Sequence, residues 1–260
     1  MNNIYEMIVG GFTWSYSRVG CFSDCPYKFF LKYLYGLKEE PMFYASYGSF
    51  IHKILEEYYK GIISKEEMKS RFLSGFSKEV RGERPSADVV SKYIEDGYKY
   101  FSNFEPFRFE TVGVEERLEF NICGIPFVGI VDFIGRDDDG SLVVVDNKSR
   151  ALKPRSSRKT PTKNDIEIDS MLKQLYIYSY AIKEKYGEFP KLLCFNCFRN
   201  GVFIEEPFDE TKYNETIKWV VSEIDRIKKA DEWYPIIDFF QCKYLCGVHD
   251  QCEFYEKGMT

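Results

Sequence analysis

Residues 127–148 read FVGIVDFIGRDDDGSLVVVDNK, two apolar runs divided by an acidic turn that ends in glycine. The first run, Phe127 to Ile134, carries a single charge, Asp132. The second, Ser141 to Val145, leads into Asp146, Asn147 and Lys148. Asp137-Asp138-Asp139-Gly140 is a turn signal, with Gly140 where a left-handed residue is needed. A three-residue hairpin loop of this kind sets Asp137 against Ser141, and counting back sets Asp132 against Asp146. Directly opposed strand residues have Cβ atoms about 4.5–5.5 Å apart, where like charges repel. Two facing carboxylates on otherwise apolar strands therefore require a compensating cation. Lys148 shares a strand face with Asp146, because strand side chains alternate with period two. A carboxylate pair able to hold a divalent metal, with an ammonium beside it, suits hydrolysis of a phosphodiester. The same pattern also arises where strands simply end in solvent, so the rest of the chain must decide.

The 260 residues suffice for one large domain or two small ones, and 44% hydrophobic with 18% aromatic content supplies a sizeable core. Net charge is −5 with a pI near 5.4, so nucleic-acid binding would rest on a local basic patch rather than a global field. No apolar run is long enough to span a bilayer, and Met1 to Gly11 lacks the basic-then-apolar pattern of a secretion signal. The expectation is a cytoplasmic, bacterial or phage-encoded protein with no membrane partner. In a reducing compartment, eight cysteines point to metal ligation rather than disulfides.

Helix signals come first along the chain. Pro26 sits at a first helical position after Ser23-Asp24-Cys25, and that helix stops at Gly36. Further helices are expected over about Ser46–Tyr59, Lys65–Phe76 and Ala87–Tyr100. Strand character begins near Phe109, and Glu110 to Cys123 alternates loosely before the hairpin. Arg150 to Asn164 has no apolar period and reads as a loop, followed by a helix from about Ile166 to Tyr186. Lys191–Pro207 reads as a hairpin about an Asn200-Gly201 turn, and Asp209–Lys229 as a last long helix. The order indicates a mixed α/β layer fold. No phosphate-binding GxxxxGK[ST] loop is present, so the sequence carries no recognisable ATP-driven motor.

Cys242, Cys246 and Cys252 crowd into eleven residues, a density that calls for a thiolate site with a fourth ligand from elsewhere. Cys25, at a helix N-terminus that favours thiolate, is the leading choice, with Cys21 one turn earlier. Zinc and iron–sulfur both accept four cysteines, and His249 would instead complete a Cys3His zinc site. Cys194 and Cys197 fall on a strand and face opposite ways; they and Cys123 read as core residues. His52 lies within an apolar helical face, and Gln174 and Tyr178 share a face four residues apart. Alone, each reads as structural. Arg150, Lys153, Arg155, Arg158, Lys159 and Lys163 follow the Asp146–Lys148 strand within one loop, a candidate DNA grip or a merely solvated face.

Together these motifs resemble the PD-(D/E)XK nuclease superfamily, in particular its RecB-like branch with an iron–sulfur cluster. That branch includes the AddB nuclease domain and the CRISPR-associated RecB-like exonucleases. The similarity lies in Ser15-Tyr-Ser17 with Cys25-Pro26-Tyr27-Lys28-Phe29-Phe30, Gly48-Ser-Phe-Ile-His52, Gly129-Ile-Val-Asp132, Asp146-Asn-Lys148, Gln174-Leu-Tyr-Ile-Tyr178 and the closing cysteines. Cys242 and Cys246 are separated by three residues where the family usually has two.

The resemblance implies a restriction-endonuclease-like mixed sheet flanked by helices, as one nuclease domain over 1–260. Its parts would be a helical N-terminal region (1–108), a nuclease core (109–230) and a cluster-binding tail (231–260). It implies Mg²⁺ or Mn²⁺ on His52, Asp132, Asp146 and the Asn147 carbonyl. Lys148 would stabilise phosphate charge, with Gln174 and Tyr178 positioning it, and Cys25, Cys242, Cys246 and Cys252 would hold a [4Fe-4S] cluster. The activity expected is an exonuclease on single-stranded DNA ends, acting with a separate helicase, recombination or CRISPR protein. A structure-specific endonuclease and a non-catalytic DNA-binding scaffold are the alternatives.

Overall fold

Alternating branched and aromatic residues build five strands: β1 (Glu110–Ile122), β2 (Ile125–Arg136), β3 (Leu142–Lys148), β4 (Leu192–Cys197) and β5 (Val202–Pro207). The computed structural model describes residues 3–255. The strands form one sheet in sequence order, antiparallel throughout except where β3 runs parallel to β4. That exception follows from the connection. β3 reaches β4 through the helix α7 (Lys163–Tyr186), and parallel neighbours require such a crossover.

The β2–β3 hairpin has the register expected from its sequence. Phe133 faces Val145, Arg136 faces Leu142, and the Asp137 amide donates to the Ser141 carbonyl at 2.9 Å. Gly140 takes φ +82°, as the loop demands. The β1–β2 turn is Cys123-Gly124, with both residues at positive φ (+51° and +80°), the signature of a primed hairpin turn. Cys123 is thus exposed at a turn rather than part of the core. Cys197 pairs with Val202, so the β4–β5 turn holds four residues, not the two expected. Asn200 Nδ2 donates to the Leu152 carbonyl at 2.7 Å, tying this turn to the loop after β3.

Both faces of the sheet are covered. Val143, Val145 and Cys194 pack with Phe109 and Phe133 on one side. Val144, Phe195 and Cys197 pack on the other, in the large core under α7 and α8 (Glu210–Lys229). Cys194 and Cys197 therefore do face opposite ways. Two helices precede the first one read from sequence, α1 (Asn3–Gly10) and α2 (Tyr16–Asp24). Ser15 caps α2 by accepting from the Arg18 amide. α3 (Pro26–Phe29) starts at Cys25 and continues as a π-helical turn, Phe30–Leu34. α4 (Phe43–Tyr59), α5 (Lys65–Glu79) and α6 (Ala87–Ser102) share a second core that includes Phe50, Ile54, Phe72 and Phe101. Tyr59 and Phe133, with ring centroids 4.9 Å apart, join α4 to the sheet. A short helix, α9 (Phe239–Tyr244), begins the cysteine-rich tail. Among the described residues no helix is long and apolar enough to cross a membrane.

Candidate active site

Three carboxylates lie in a row across three adjacent strands. Glu115 and Asp132 fall between the β1–β2 pairs Val114–Phe133 and Glu116–Val131, and Asp132 and Asp146 follow the last β2–β3 pair, Phe133–Val145. Glu115 breaks the regular backbone with φ +49°, a strained conformation for a side chain of this kind. α4 supplies the fourth group. His52 Nδ1 lies 3.3 Å from Asp132 Oδ2, which also accepts the Asn147 amide at 2.7 Å. One ligand atom each from His52, Glu115 and Asp132 lie within 4.8 Å of one another, close enough to share an ion. Two carboxylates and an imidazole suit a hard divalent cation.

Asp146 is buried, and its Oδ2 lies 2.5 Å from Lys148 Nζ. This oxygen makes no hydrogen bond of normal geometry, and its charge is offset by Lys148 and, less strongly, by His52. Lys148 donates to Gln174 Oε1 at 2.8 Å, and Gln174 Nε2 donates to the Tyr178 hydroxyl at 2.9 Å. Tyr178 packs over Gly129, where an added Cβ would come within 2.6 Å of its ring, so this position admits no side chain. The Asn147 side chain is turned to the fold. Its Oδ1 accepts from Asn196 Nδ2 at 2.7 Å, and Asn196 also donates to the Tyr100 hydroxyl. Any ligand role for Asn147 thus falls to its carbonyl.

The electrostatics reflect crowded negative charge. Burial pushes the Glu115 carboxyl up to about 7, aided by Asp132 and Glu56 against His52. Burial likewise raises Asp146 to about 6, with Asp132 adding to the rise and Lys148 opposing it. Burial would also raise Asp132, but the His52 imidazole and the Asn147 amide hold it below the usual range. Burial disfavours a charged His52, yet Asp132 more than offsets this and raises its pKa. These groups line an open cleft of about 650 Å³. A second cleft of about 630 Å³, between α6 and the β4–β5 hairpin, holds charges that are already paired. There Arg108 meets Asp137 and Glu205, and Arg199 meets Asp96.

A model of the PD-(D/E)XK nuclease superfamily matches residues 13–253. The chain belongs to that superfamily. It is 33% identical over 152 residues to a component of the ATP-dependent helicase/deoxyribonuclease of Streptococcus agalactiae, in three serotypes alike. That match takes in 54% of this chain but spans only 14% of the relative's length. A protein of Eubacterium rectale to which exonuclease function has been ascribed superposes with a TM-score of 0.51 at 11% identity. The superposition covers 91% of this chain and 90% of that one, and shows a shared fold.

In this member of the superfamily the loop after β3 is less free than its sequence suggests. Residues 149–162 are irregular, clipped where the Lys153 amide donates to Asn164 and Asn164 Nδ2 donates to the Lys153 carbonyl. Arg155 does not face solvent as expected. Its guanidinium is partly buried and bridges Glu206 and Asp169, both at 2.7 Å. Arg150 is exposed and paired with Glu167. Lys153, Arg158, Lys159 and Lys163 are exposed and have no ion pair among the described residues.

The tail returns to the N-terminal helices. Cys25, Cys242, Cys246 and Cys252 line one small cavity of about 30 Å³, together with His249, Lys28 and Val248. Cys25 Sγ accepts from the Lys28 amide at 3.4 Å, and the Glu40 amide donates to the Gly247 carbonyl at 2.7 Å, fastening the tail down. Cys21 is not among these residues; it is buried in the main core, where burial pushes its thiol up to about 12. His249 Nδ1 lies 2.6 Å from the Cys246 carbonyl. Sequence reasoning missed Glu115, although a signal for it exists in the Cys123-Gly124 turn.

Proposed function

We propose that this chain is a divalent-metal-dependent DNA nuclease acting on strand ends. The observation carrying the reading is the meeting of His52, Glu115, Asp132 and Asp146 in one cleft with Lys148, itself held by Gln174 and Tyr178. His52, Asp132, Asp146 and the Asn147 carbonyl, with Glu115, would hold Mg²⁺ or Mn²⁺. Such an ion supplies an acidified water and a clamp on the phosphate. Lys148 stabilises the negative charge that develops on the phosphate. Gln174 fixes the direction of its ammonium, and Tyr178 fixes Gln174. The deoxyribonuclease named in the streptococcal relative supports DNA as the substrate, and the helicase in the same name supports a separate motor as partner.

Cys25, Cys242, Cys246 and Cys252 are proposed to hold a [4Fe-4S] cluster. The four cysteines line one cavity, as a four-thiolate centre requires, and zinc is the alternative occupant. Reduced thiols of this kind fit a reducing bacterial or phage-infected cytoplasm.

The test is incubation of end-labelled single-stranded and duplex DNA with and without Mg²⁺ or Mn²⁺. Metal-dependent release of labelled nucleotides is expected, abolished in Asp146→Ala. Cleavage without metal sinks the reading, and cleavage of circular as readily as linear DNA turns it to an endonuclease of the same fold.

A further inference from the structure

Tyr44 belongs to two places at once. It lines the cleft that holds His52, Asp146 and Lys148, and it touches the cysteine-bearing tail. On α4 it stands two turns before His52 and one before Gly48, so the three share a helix face. From Tyr44 to His52 is about 12 Å along the helix axis. On its other side Tyr44 meets Phe240 and Tyr244 of α9, with ring centroids 5.6 and 6.0 Å away. Phe240 and Tyr244 lie 5.3 Å apart, and Phe239 extends the row at 6.4 Å from Tyr244. Phe239 and Phe240 are 53% and 50% exposed, unusual for phenylalanines that already contact other rings. Lys243 sets its ammonium 5.6 Å from the Phe239 ring and 5.4 Å from the Tyr244 ring.

We infer that Tyr44, Phe240, Tyr244 and Phe239 form a stacking platform for unpaired nucleobases at the mouth of the catalytic cleft. The inference rests on the nuclease reading and adds the residues that would contact the bases of a single strand. Two half-exposed phenylalanine rings beside the partly buried Tyr44 and Tyr244, with Tyr44 itself lining the cleft, match what a single strand offers: successive bases with open π-faces and a charged backbone beside them. Lys243 supplies the backbone charge. A duplex cannot use the platform, because its bases are already stacked on each other. Cys242 lies between Phe240 and Tyr244, so whatever binds the tail thiols also sets the platform's position.

The test reads binding apart from turnover. Fluorescence anisotropy in Ca²⁺ compares a labelled thymidine oligonucleotide, an abasic strand of equal length and a duplex. The native protein should prefer the base-bearing strand to the other two. Phe240→Leu and Tyr44→Leu should each weaken it about tenfold, within the range of one base–aromatic stack, and leave the salt dependence unchanged. Phe240→Trp should retain it. Equal affinity of the native protein for base-bearing and abasic strands overturns the platform, and that comparison needs no variant to fold. A protein that shows this preference yet hydrolyses no DNA with Mg²⁺ or Mn²⁺ loses the nuclease reading alone. One that hydrolyses DNA without the preference loses the platform alone.

Discussion

Replacing Glu115 with glutamine should stabilise the metal-free protein and weaken the metal-loaded one, and the two effects can be measured in the same melting experiment. Glu115 has a carboxyl displaced from 4.5 to about 7, mainly by burial and then by Asp132. Each tenfold change in acidity is about 1.4 kcal/mol, so the displacement taken whole is about 3 kcal/mol. The side chain is only half-buried, and solvent screening brings this to about 1–2 kcal/mol. The sign follows from proton binding. Below pH 4.5 the carboxyl is protonated folded and unfolded alike, and no penalty exists. Between 4.5 and 7 the folded state holds the proton more tightly, so stability falls as pH rises; above 7 the penalty is complete. At about pH 8 without divalent metal, Glu115→Gln should therefore melt about 2–8 °C higher than the native protein. With Mn²⁺ the order should reverse. A ligand at about a hundred times its Kd stabilises by about 2.7 kcal/mol, and the variant would forfeit most of that. Differential scanning fluorimetry with and without Mn²⁺, at about pH 5 and about pH 8, reads all four states. A variant that melts lower than the native protein without metal would refute the burial penalty, and one that gains as much from Mn²⁺ would refute the placement of Glu115 among the ligands.

Lys148→Ala should lower kcat on DNA about 10²–10³-fold, the loss expected for one charge-stabilising donor, with folding intact by circular dichroism. Neutralising Arg158 and Lys159 of the basic loop together with Lys163 at the start of α7 should flatten the salt dependence of single-strand binding by about 2 in log–log slope. An unchanged slope would mark them as merely solvated. Arg155→Ala should instead lower stability by about 2 kcal/mol in urea unfolding, because it leaves the largely buried Glu206 without its cation, while Asp169 keeps Lys212. Protein prepared without oxygen should be brown, and Cys246→Ala colourless and aggregation-prone, since binding energy at such a site is also folding energy. Stoichiometric zinc without iron would defeat the cluster and spare the nuclease.

How far the sequence could be read depended on whether a residue's partner lay within one turn of counting. Asp132 and Asp146 were legible because the Asp137–Gly140 turn fixes their register, and the structure keeps that register pair for pair. Glu115 was just as accessible in principle. Taking Cys123-Gly124 as a two-residue turn pairs Ile122 with Ile125, and counting back puts Glu115 beside Asp132. The signal was masked because Glu115, Glu116 and Glu119 blur the alternation of β1 into an acidic strand, and because Glu115 reaches the cleft by a positive φ that no pattern announces. Arg155 failed for the opposite reason. Its partners come from β5 and α7, fifty-one and fourteen residues away, and loop composition carries no trace of them. The helix-dipole argument favoured Cys25 but left Cys21 open, since the two lie one turn apart in sequence. The structure separates them by topology: α2 buries Cys21 in the main core, while Cys25 caps α3 and faces the returning tail. The three carboxylates of the cleft are thus a product of local counting, whereas His52 and Gln174 reach it from α4 and α7 by long-range packing. The tail and the loop are products of long-range packing, which only the folded chain displays.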